Sequence, residues 1–176
     1  KPLLWGFFNL YNSCVLRVPD EEYPFRLWLF GWAAEEGNPG YPGYDAIFCA
    51  RGKDLAHWEV YAGDAGWDTS MTPSLWVPVV AAGDKPYDSF HNGDPAVVLH
   101  DGVFHMAFSS VGVTPVTDAT GKQRLHLVSC VMAATSADGL HWKKSEKPIA
   151  LWSKEYADPW YLVDGKVAGQ AGTVVR

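Results

Sequence analysis

The chain has 176 residues, of which 48% are hydrophobic and 14% aromatic, and this composition excludes a disordered chain and allows one sizeable core. The formal net charge is −6 and the basic residues are scattered singly, which excludes a surface for a nucleic-acid backbone. No run of 18 apolar residues occurs, so no membrane-spanning helix and no membrane partner are expected.

The first part of the chain contains short runs rich in strand-forming residues. Three of them lie at residues 12–17, 25–30 and 46–50, and the unit closes with Asp-Leu-Ala-His-Trp at 54–58. The stretch 34–44 is rich in Gly and Pro and is predicted to be a surface loop within the unit. We therefore predict a four-stranded β-sheet unit over residues 12–62.

A longer connection, 63–93, follows and is both polar and aromatic. Because large flat aromatic side chains stack on sugar rings, and the chain has nine Trp, this connection is predicted to form the wall of a binding cleft. The residues in it that we predict to stack on a sugar are Trp67, Trp76, Tyr87 and Phe90.

The second unit repeats the pattern of the first. Its runs lie at 94–99, 103–108 and 127–135, and it closes with Ser-Ala-Asp-Gly-Leu-His-Trp at 136–142. The segment 122–138 has no helical period and is predicted to be a strand. A tight turn is predicted at Asp101-Gly102, and it recurs at Asp164-Gly165 in a third copy that begins at Asp158. The units are predicted to occupy 94–148 and, incompletely, 158–176.

Two complete units of nearly equal length, each with four strands and about fifty residues, indicate a β-propeller. Residues 1–176 are thus predicted to form a single all-β domain, a partial propeller of about two and a half four-stranded antiparallel blades. Because an incomplete ring leaves strand edges exposed, further blades are expected, either from the same gene product or from a self-associated chain.

The repeated motifs resemble those of a known group. Asp-Pro-Ala-Val at 94–97, Asp-Gly-Val-Phe-His at 101–105 and the segment 134–142 are similar to the blade motif of the five-bladed propeller glycoside hydrolases. These are the arabinanase and xylosidase family, the invertase and levanase family, and their relatives. The resemblance covers most of the chain from Asn12 onward and implies a five-bladed ring that cleaves glycosidic bonds in a central funnel.

The resemblance also implies which residues act. Acids at the head of the innermost strands supply a nucleophile or base, and a second group donates a proton to the leaving oxygen. Asp94 and Asp158 occupy the Asp-Pro position of that motif, and Asn12 occupies the equivalent position in the first unit. In one register Asp94 is the base or nucleophile, Asp158 the stabiliser, and the glutamic acid donor lies beyond Arg176. In the other register Asn12 has replaced the base, and the site is inactive or different.

Each candidate also has a plain structural interpretation. Asp94 and Asp158 could accept backbone N–H bonds at a strand start, and a loop histidine such as His91 is usually solvated. As a functional residue, His91 would bind a sugar hydroxyl or transfer a proton. Four residues that recur in both units are predicted to form turns and to pack between blades: Asp54, Trp58, Asp138 and Trp142. Three Cys are predicted to be buried thiols: Cys14, Cys49 and Cys130.

Three functions remain open at this point: a glycoside hydrolase, a carbohydrate-binding propeller without catalysis, and a structural or partner-binding propeller segment. A carbohydrate is the expected small-molecule partner in the first two. No cofactor is predicted; relatives hold a structural Ca²⁺, but this chain has no dense acidic loop to support one. The compartment stays open, with a secreted or periplasmic location favoured although residues 1–11 do not form a signal peptide.

Overall fold

The computed structural model describes residues 10–33, 44–72, 75–117, 120–151, 162–163 and 166–167. Within these residues the chain is all-β and includes a short 3-10 turn at Gly63–Ala65, so the predicted fold class is confirmed. In the part of the chain that the structure describes, no helix is long and apolar enough to cross a membrane.

Ten strands form one continuous sheet, in which a single parallel bridge joins two antiparallel parts that are called the first and the second sheet. The first sheet is an antiparallel meander of four strands. They are β1 (Leu10–Arg17), β2 (Phe25–Ala33), β3 (Tyr44–Gly52) and β4 (Trp58–Tyr61). A short fifth strand, β5 (Trp67–Asp68), pairs with β4 and extends the outer edge of the sheet. Strands β2 and β3 are rich in aromatic and apolar residues, which fit a pleated surface with packing on both sides.

The second sheet repeats this arrangement. Strands β6 (His91–His100), β7 (Val103–Thr117) and β8 (Gln123–Ser136) are antiparallel, and β9 (Lys143–Lys144) and β10 (Ala150–Leu151) both pair with β8 at the outer edge. Strands β11 (Leu162–Val163) and β12 (Lys166–Val167) form a separate pair. The strand predicted over 122–138 is confirmed as β8.

The turn between β6 and β7 is the predicted Asp-Gly turn. Asp101 has a φ of 48° and Gly102 a φ of 77°, so both central residues are left-handed. Such a turn matches the right-handed twist of the two strands that it joins, and Gly adopts this conformation without a steric penalty.

Strand β3 lies between two apolar layers because its successive side chains point to opposite faces. Ile47 and Cys49 contribute to the main core, whereas Phe48 packs on the other side in a second cluster with Trp76. The main core joins both sheets, since its buried side chains include Trp28, Phe30, Ile47, Val97, Phe104, Met106, Phe108 and Met132.

The two sheets are placed as neighbouring blades of a partial β-propeller. Their first strands lie side by side, where the Cys14 sulfur accepts the Val97 backbone N–H at 3.3 Å. On the core side, Trp28 of β2 is fully buried, and its indole N–H donates to the Gly139 carbonyl of the other sheet at 3.0 Å. The number of blades in a complete ring remains a prediction.

The recurrent Asp residues form turns, as predicted. Oδ1 of Asp54 accepts the backbone N–H of Ala56 and of His57, and Oδ1 of Asp138 accepts the equivalent two in the second sheet. Trp142 also packs between the sheets, with its ring centroid 6.0 Å from that of Trp28.

The three cysteines are free thiols. Cys49 and Cys130 are buried, as predicted, and burial raises the pKa of Cys49 to about 12 and that of Cys130 to about 11. Cys14 differs from the prediction because it is only half-buried, at the junction of the two first strands.

Candidate functional site

A β-bulge near the start of β6 carries Asp94. Gly93 pairs with Ser109 and Ala96 pairs with Ala107, so Asp94 and Pro95 together lie opposite a single residue of β7. Asp94 has a φ of 47°, which is unusual for a residue other than Gly. Bulges bend a strand and redirect its side chains, and here the bulge presents an exposed carboxylate at the head of the strand.

The Asp94 carboxylate is held by one donor from each side. The Asn12 side chain on β1 donates its amide N–H to Oδ1 at 2.7 Å, and the Ser109 hydroxyl on β7 donates to Oδ2 at 2.7 Å. A carboxylate only accepts, so the Asn12 amide must turn its nitrogen toward it. The structure therefore brings the predicted residues Asn12 and Asp94 into direct contact across the two sheets.

His91 connects this carboxylate to a second acid. Its Nε2 lies 3.0 Å from the Ser109 hydroxyl, and its Nδ1 lies 2.6 Å from Oδ2 of Asp45. Asp45 begins the buried part of β3 and is adjacent to His91 where β3 and β6 form a parallel bridge. The His91 and Asp45 side chains are only 15% and 16% exposed, so this contact is shielded from solvent.

The His91 ring is fixed by its neighbours. Phe30 packs against it with ring centroids 5.6 Å apart, and a Cβ on Gly93 would lie 2.9 Å from the imidazole and 3.0 Å from the Phe30 ring. The next residue, Asn92, is fully buried, donates to the Asp88 carbonyl and accepts the Ser110 hydroxyl. The segment 91–94 is thus rigid, with no room for a side chain at Gly93.

The resulting group is a line of five polar side chains that runs from the interior to an exposed carboxylate: Asp45, His91, Ser109, Asp94 and Asn12. Chemically, an exposed carboxylate with a fixed orientation can act as a base, as a nucleophile or as an acceptor for a sugar hydroxyl. Both ring nitrogens of His91 are engaged within the protein, so its contacts are with Asp45 and Ser109.

Sequence reasoning missed Asp45 and Ser109. The only available signal was a polar residue within or beside an otherwise apolar run, and many strands carry such residues on their solvent face. Their proximity to His91 depends on the pairing of β3 with β6 and of β6 with β7, which no local pattern specifies.

The predicted aromatic residues of the connection 63–93 lie elsewhere. Trp67 is on β5, which pairs with β4 at the outer edge of the first sheet, whereas Asp94 is on β6. Its ring packs edge-on against Tyr61 and receives the guanidinium of Arg51 at 4.4 Å. The structure therefore does not bring Trp67 to Asp94.

Of the other three aromatic residues, Trp76 lies in the second core cluster and Tyr87 at the outer edge, whereas Phe90 is next to His91 in the chain. Trp76 is buried beside Phe48, and its indole N–H donates to Asp68 at 2.9 Å, so it is part of the core. The Tyr87 hydroxyl donates to the carbonyl of Glu146 at the outer edge of the second sheet. Phe90 is half-buried and directly precedes His91.

Asp158, the second predicted acid, lies outside the described residues. Among the residues that the structure does describe, no group of three or more His, Cys, Asp or Glu side chains is arranged to hold a metal ion.

Comparison with known proteins identifies the fold. No protein-family model matches the chain, and no curated protein sequence matches it. A solved structure named "Glycoside hydrolase" is 19% identical with a TM-score of 0.55, over 84% of this chain and 35% of that one. Another, named as a complex of BT0996 and RGII, is 18% identical with a TM-score of 0.51, over 78% of this chain and 32% of that one. The chain thus spans about a third of the length of these structures and shares their fold.

Proposed function

We propose that this chain is part of a carbohydrate-active β-propeller, and that Asp94 is the nucleophile or general base of a glycoside hydrolase when the ring is complete. The observation that carries the proposal is the exposed Asp94 carboxylate at the junction of two first strands, oriented by Asn12 and Ser109. In a propeller, first strands line the central channel, so a carboxylate there faces a shared cavity.

Two further observations support a carbohydrate substrate. Glycosidic bond hydrolysis requires carboxylates on fixed supports, and Asp94 is held on strands instead of on a loop. In addition, one solved structure of the same fold carries the name glycoside hydrolase, and the other is named as a complex with RGII. Within this proposal, Asp158 is the second acid, and Phe90 is the aromatic residue nearest along the chain to the site.

We also propose that a further blade covers the second sheet. Val98 and Val103 are 59% and 38% exposed, and they are on β6 and β7, whose buried residues Val97 and Phe104 face the core. Apolar side chains on the face opposite the core suit the packing of another sheet. A complete ring of five blades would place that sheet there.

A carbohydrate-binding propeller without catalysis is the second candidate. It is favoured by Asn12, because an amide at the head of the first sheet cannot act as a base, and here it serves as a donor to Asp94. In that case the Asp94 carboxylate accepts hydrogen bonds from hydroxyl groups of a bound sugar.

The test is hydrolysis of a panel of chromogenic arabinofuranosides, xylosides and fructofuranosides by the full-length protein. Asp94→Asn keeps the shape and the left-handed backbone but removes the charge, and we expect kcat to fall by at least about 10³-fold. Turnover in the variant within tenfold of the parent would exclude the assigned role.

Asp101→Asn is the matched control, because Asp101 is also an exposed Asp on a left-handed backbone, with a φ of 48°, at the other end of β6. We expect it to retain full activity. Quenching of Trp fluorescence by the same sugars, with no product formed, would instead support the binding propeller.

A further inference from the structure

Asp45, His91, Ser109 and Asp94 form a line of hydrogen-bonded side chains. Together they offer more atoms that can bind a proton than there are protons to fill them. Asp45 and Asp94 are carboxylates at the two ends of the line, and His91 and Ser109 lie between them at 2.6, 3.0 and 2.7 Å. A hydroxyl has one proton to donate, so its direction determines the state of both neighbours.

With Asp45 ionised, two arrangements satisfy every contact. If Ser109 donates to Asp94, then Nε2 of His91 must donate to Ser109 while Nδ1 donates to Asp45, and the ring is an imidazolium. If Ser109 donates to Nε2 instead, then the ring is neutral and Oδ2 of Asp94 carries the proton. The two arrangements have the same number of protons, and they differ by the transfer of one proton from Nε2 to the Ser109 oxygen as the hydroxyl proton passes to Asp94.

The order of carboxylate, imidazole and hydroxyl is also that of an acyl-transfer triad. Here, however, the hydroxyl of Ser109 has a second partner, the Asp94 carboxylate, in place of a substrate carbonyl. The geometry therefore couples the protonation state of Asp94 to that of His91.

We infer that Asp45, His91 and Ser109 form a proton relay that holds Asp94 ionised between turnovers and exchanges a proton with it from the interior side. Only the expected effect of this relay on activity rests on the proposed function. The three residues are positioning residues, because none of them is argued to touch a substrate.

The side chains around the His91 ring come from three neighbouring strands. Strand β2 contributes the Phe30 ring, β3 the Asp45 carboxylate and β7 the Ser109 hydroxyl, while β1 contributes the neutral Asn12 amide beyond Asp94. Among the described side chains, the charged groups that contact the imidazole are Asp45 directly and Asp94 through Ser109.

The first experiment is the pH profile of kcat/KM for the full-length protein. His91→Gln keeps a donor toward Ser109 but cannot be charged, so Asp94 loses a stabilising cation without losing a contact. We expect the acid limb of the profile to move to higher pH by roughly one unit, and Ser109→Ala to move it in the same direction. Asp101→Asn, an exposed acid at the other end of β6 and outside the line, is the control that leaves the limb in place. If only Ser109→Ala moved the limb, a local hydrogen bond would explain the result and the relay would be overturned.

The second experiment does not depend on activity. The ring nitrogens of His91 are observed by ¹⁵N NMR in histidine-labelled full-length protein, and His91→Gln assigns the signal among the six His of the chain. We expect Asp94→Asn to lower the pH at which the ring loses its second proton, and to do so less in a Ser109→Ala background.

An unchanged His91 titration in Asp94→Asn would overturn the relay, whatever the activity. A coupled titration in a protein that hydrolyses none of the glycosides would support the relay and contradict the proposed catalytic role. The two conclusions can therefore fail separately.

Discussion

The turns at 54–58 and 138–142 have the same hydrogen bonds, but they differ in their surroundings and in the backbone of the residue after the Asp, which is left-handed only at Gly139. In each, an Asp carboxylate accepts hydrogen bonds from two backbone N–H groups and contacts a His ring nitrogen. The indole N–H of the closing Trp donates to the carbonyl of the residue after the Asp. Leu55 is 65% exposed in the first turn, whereas the equivalent Gly139 is buried against Trp28 in the second. A motif that closes by its own hydrogen bonds thus becomes a link between sheets only where a neighbour packs on it.

The largest effect is expected for Gly139→Ala. Gly139 has a φ of 75°, and an added Cβ would lie 2.9 Å from Cζ2 of the buried Trp28, so backbone strain and overpacking add. We expect a loss of about 2–4 kcal/mol in the free energy of unfolding, measured by urea unfolding followed by Trp fluorescence. Leu55→Ala at the equivalent position should cost less than about 0.5 kcal/mol. Equal losses in the two variants would show that the turns are equivalent.

A smaller effect is expected for Trp28→Phe. The change removes the indole N–H that donates to Gly139 and leaves a small cavity, for an expected loss of about 1–3 kcal/mol. The Gly139 carbonyl keeps its bond from Trp142, so it is not left unpaired. Trp58→Phe is the matched change in the exposed turn, where water can replace the bond to Leu55, and it should cost less than Trp28→Phe in the same unfolding assay. A larger loss for Trp58→Phe than for Trp28→Phe would show that the bond from Trp28 to Gly139 is not what links the two sheets.

The smallest effect concerns pH. Burial opposes ionisation of Asp138, but the backbone N–H and ring of His141, the N–H of Leu140 and the Ser136 hydroxyl outweigh it and hold the pKa well below its usual range. In Asp54, the His57 ring and two backbone N–H groups lower the pKa of a more exposed carboxyl. A lowered pKa in the folded state contributes stability above the unfolded value, and that stability is lost as the pH falls through the folded value.

Asp138→Asn should therefore lower Tm at pH 6–7, and the difference from the parent should shrink as the pH is lowered below the ordinary value of 3.8. Asp54→Asn should show the same trend with a smaller amplitude, because solvent screens its contacts. Differential scanning fluorimetry from pH 2.5 to 7 measures both. A Tm difference that is independent of pH would contradict the role of the charge.

Local features of the fold were predictable from the sequence. The Asp101-Gly102 turn, the β8 strand and the two Asp turns depend on residues close together in the chain, so a single sequence contains the information. The sequence also indicated Asp94 and Asn12 as equivalent heads of two units, and the structure brings them into contact. Trp76 shows the limit: an aromatic residue in a polar connection suggests a binding surface, yet its burial depends on Phe48, which is far away in the chain.

By itself, then, the sequence determined the strand-rich runs and the tight turns that join them, because alternation and turn chemistry act over a few residues. The tertiary structure decided what surrounds each of those runs. The pairing of β3 with β6 placed Asp45 against His91, and the bulge in β6 directed Asp94 toward Asn12 and Ser109. Contacts between distant segments depend on strand register and on the packing of one sheet against the next, which only the folded chain specifies.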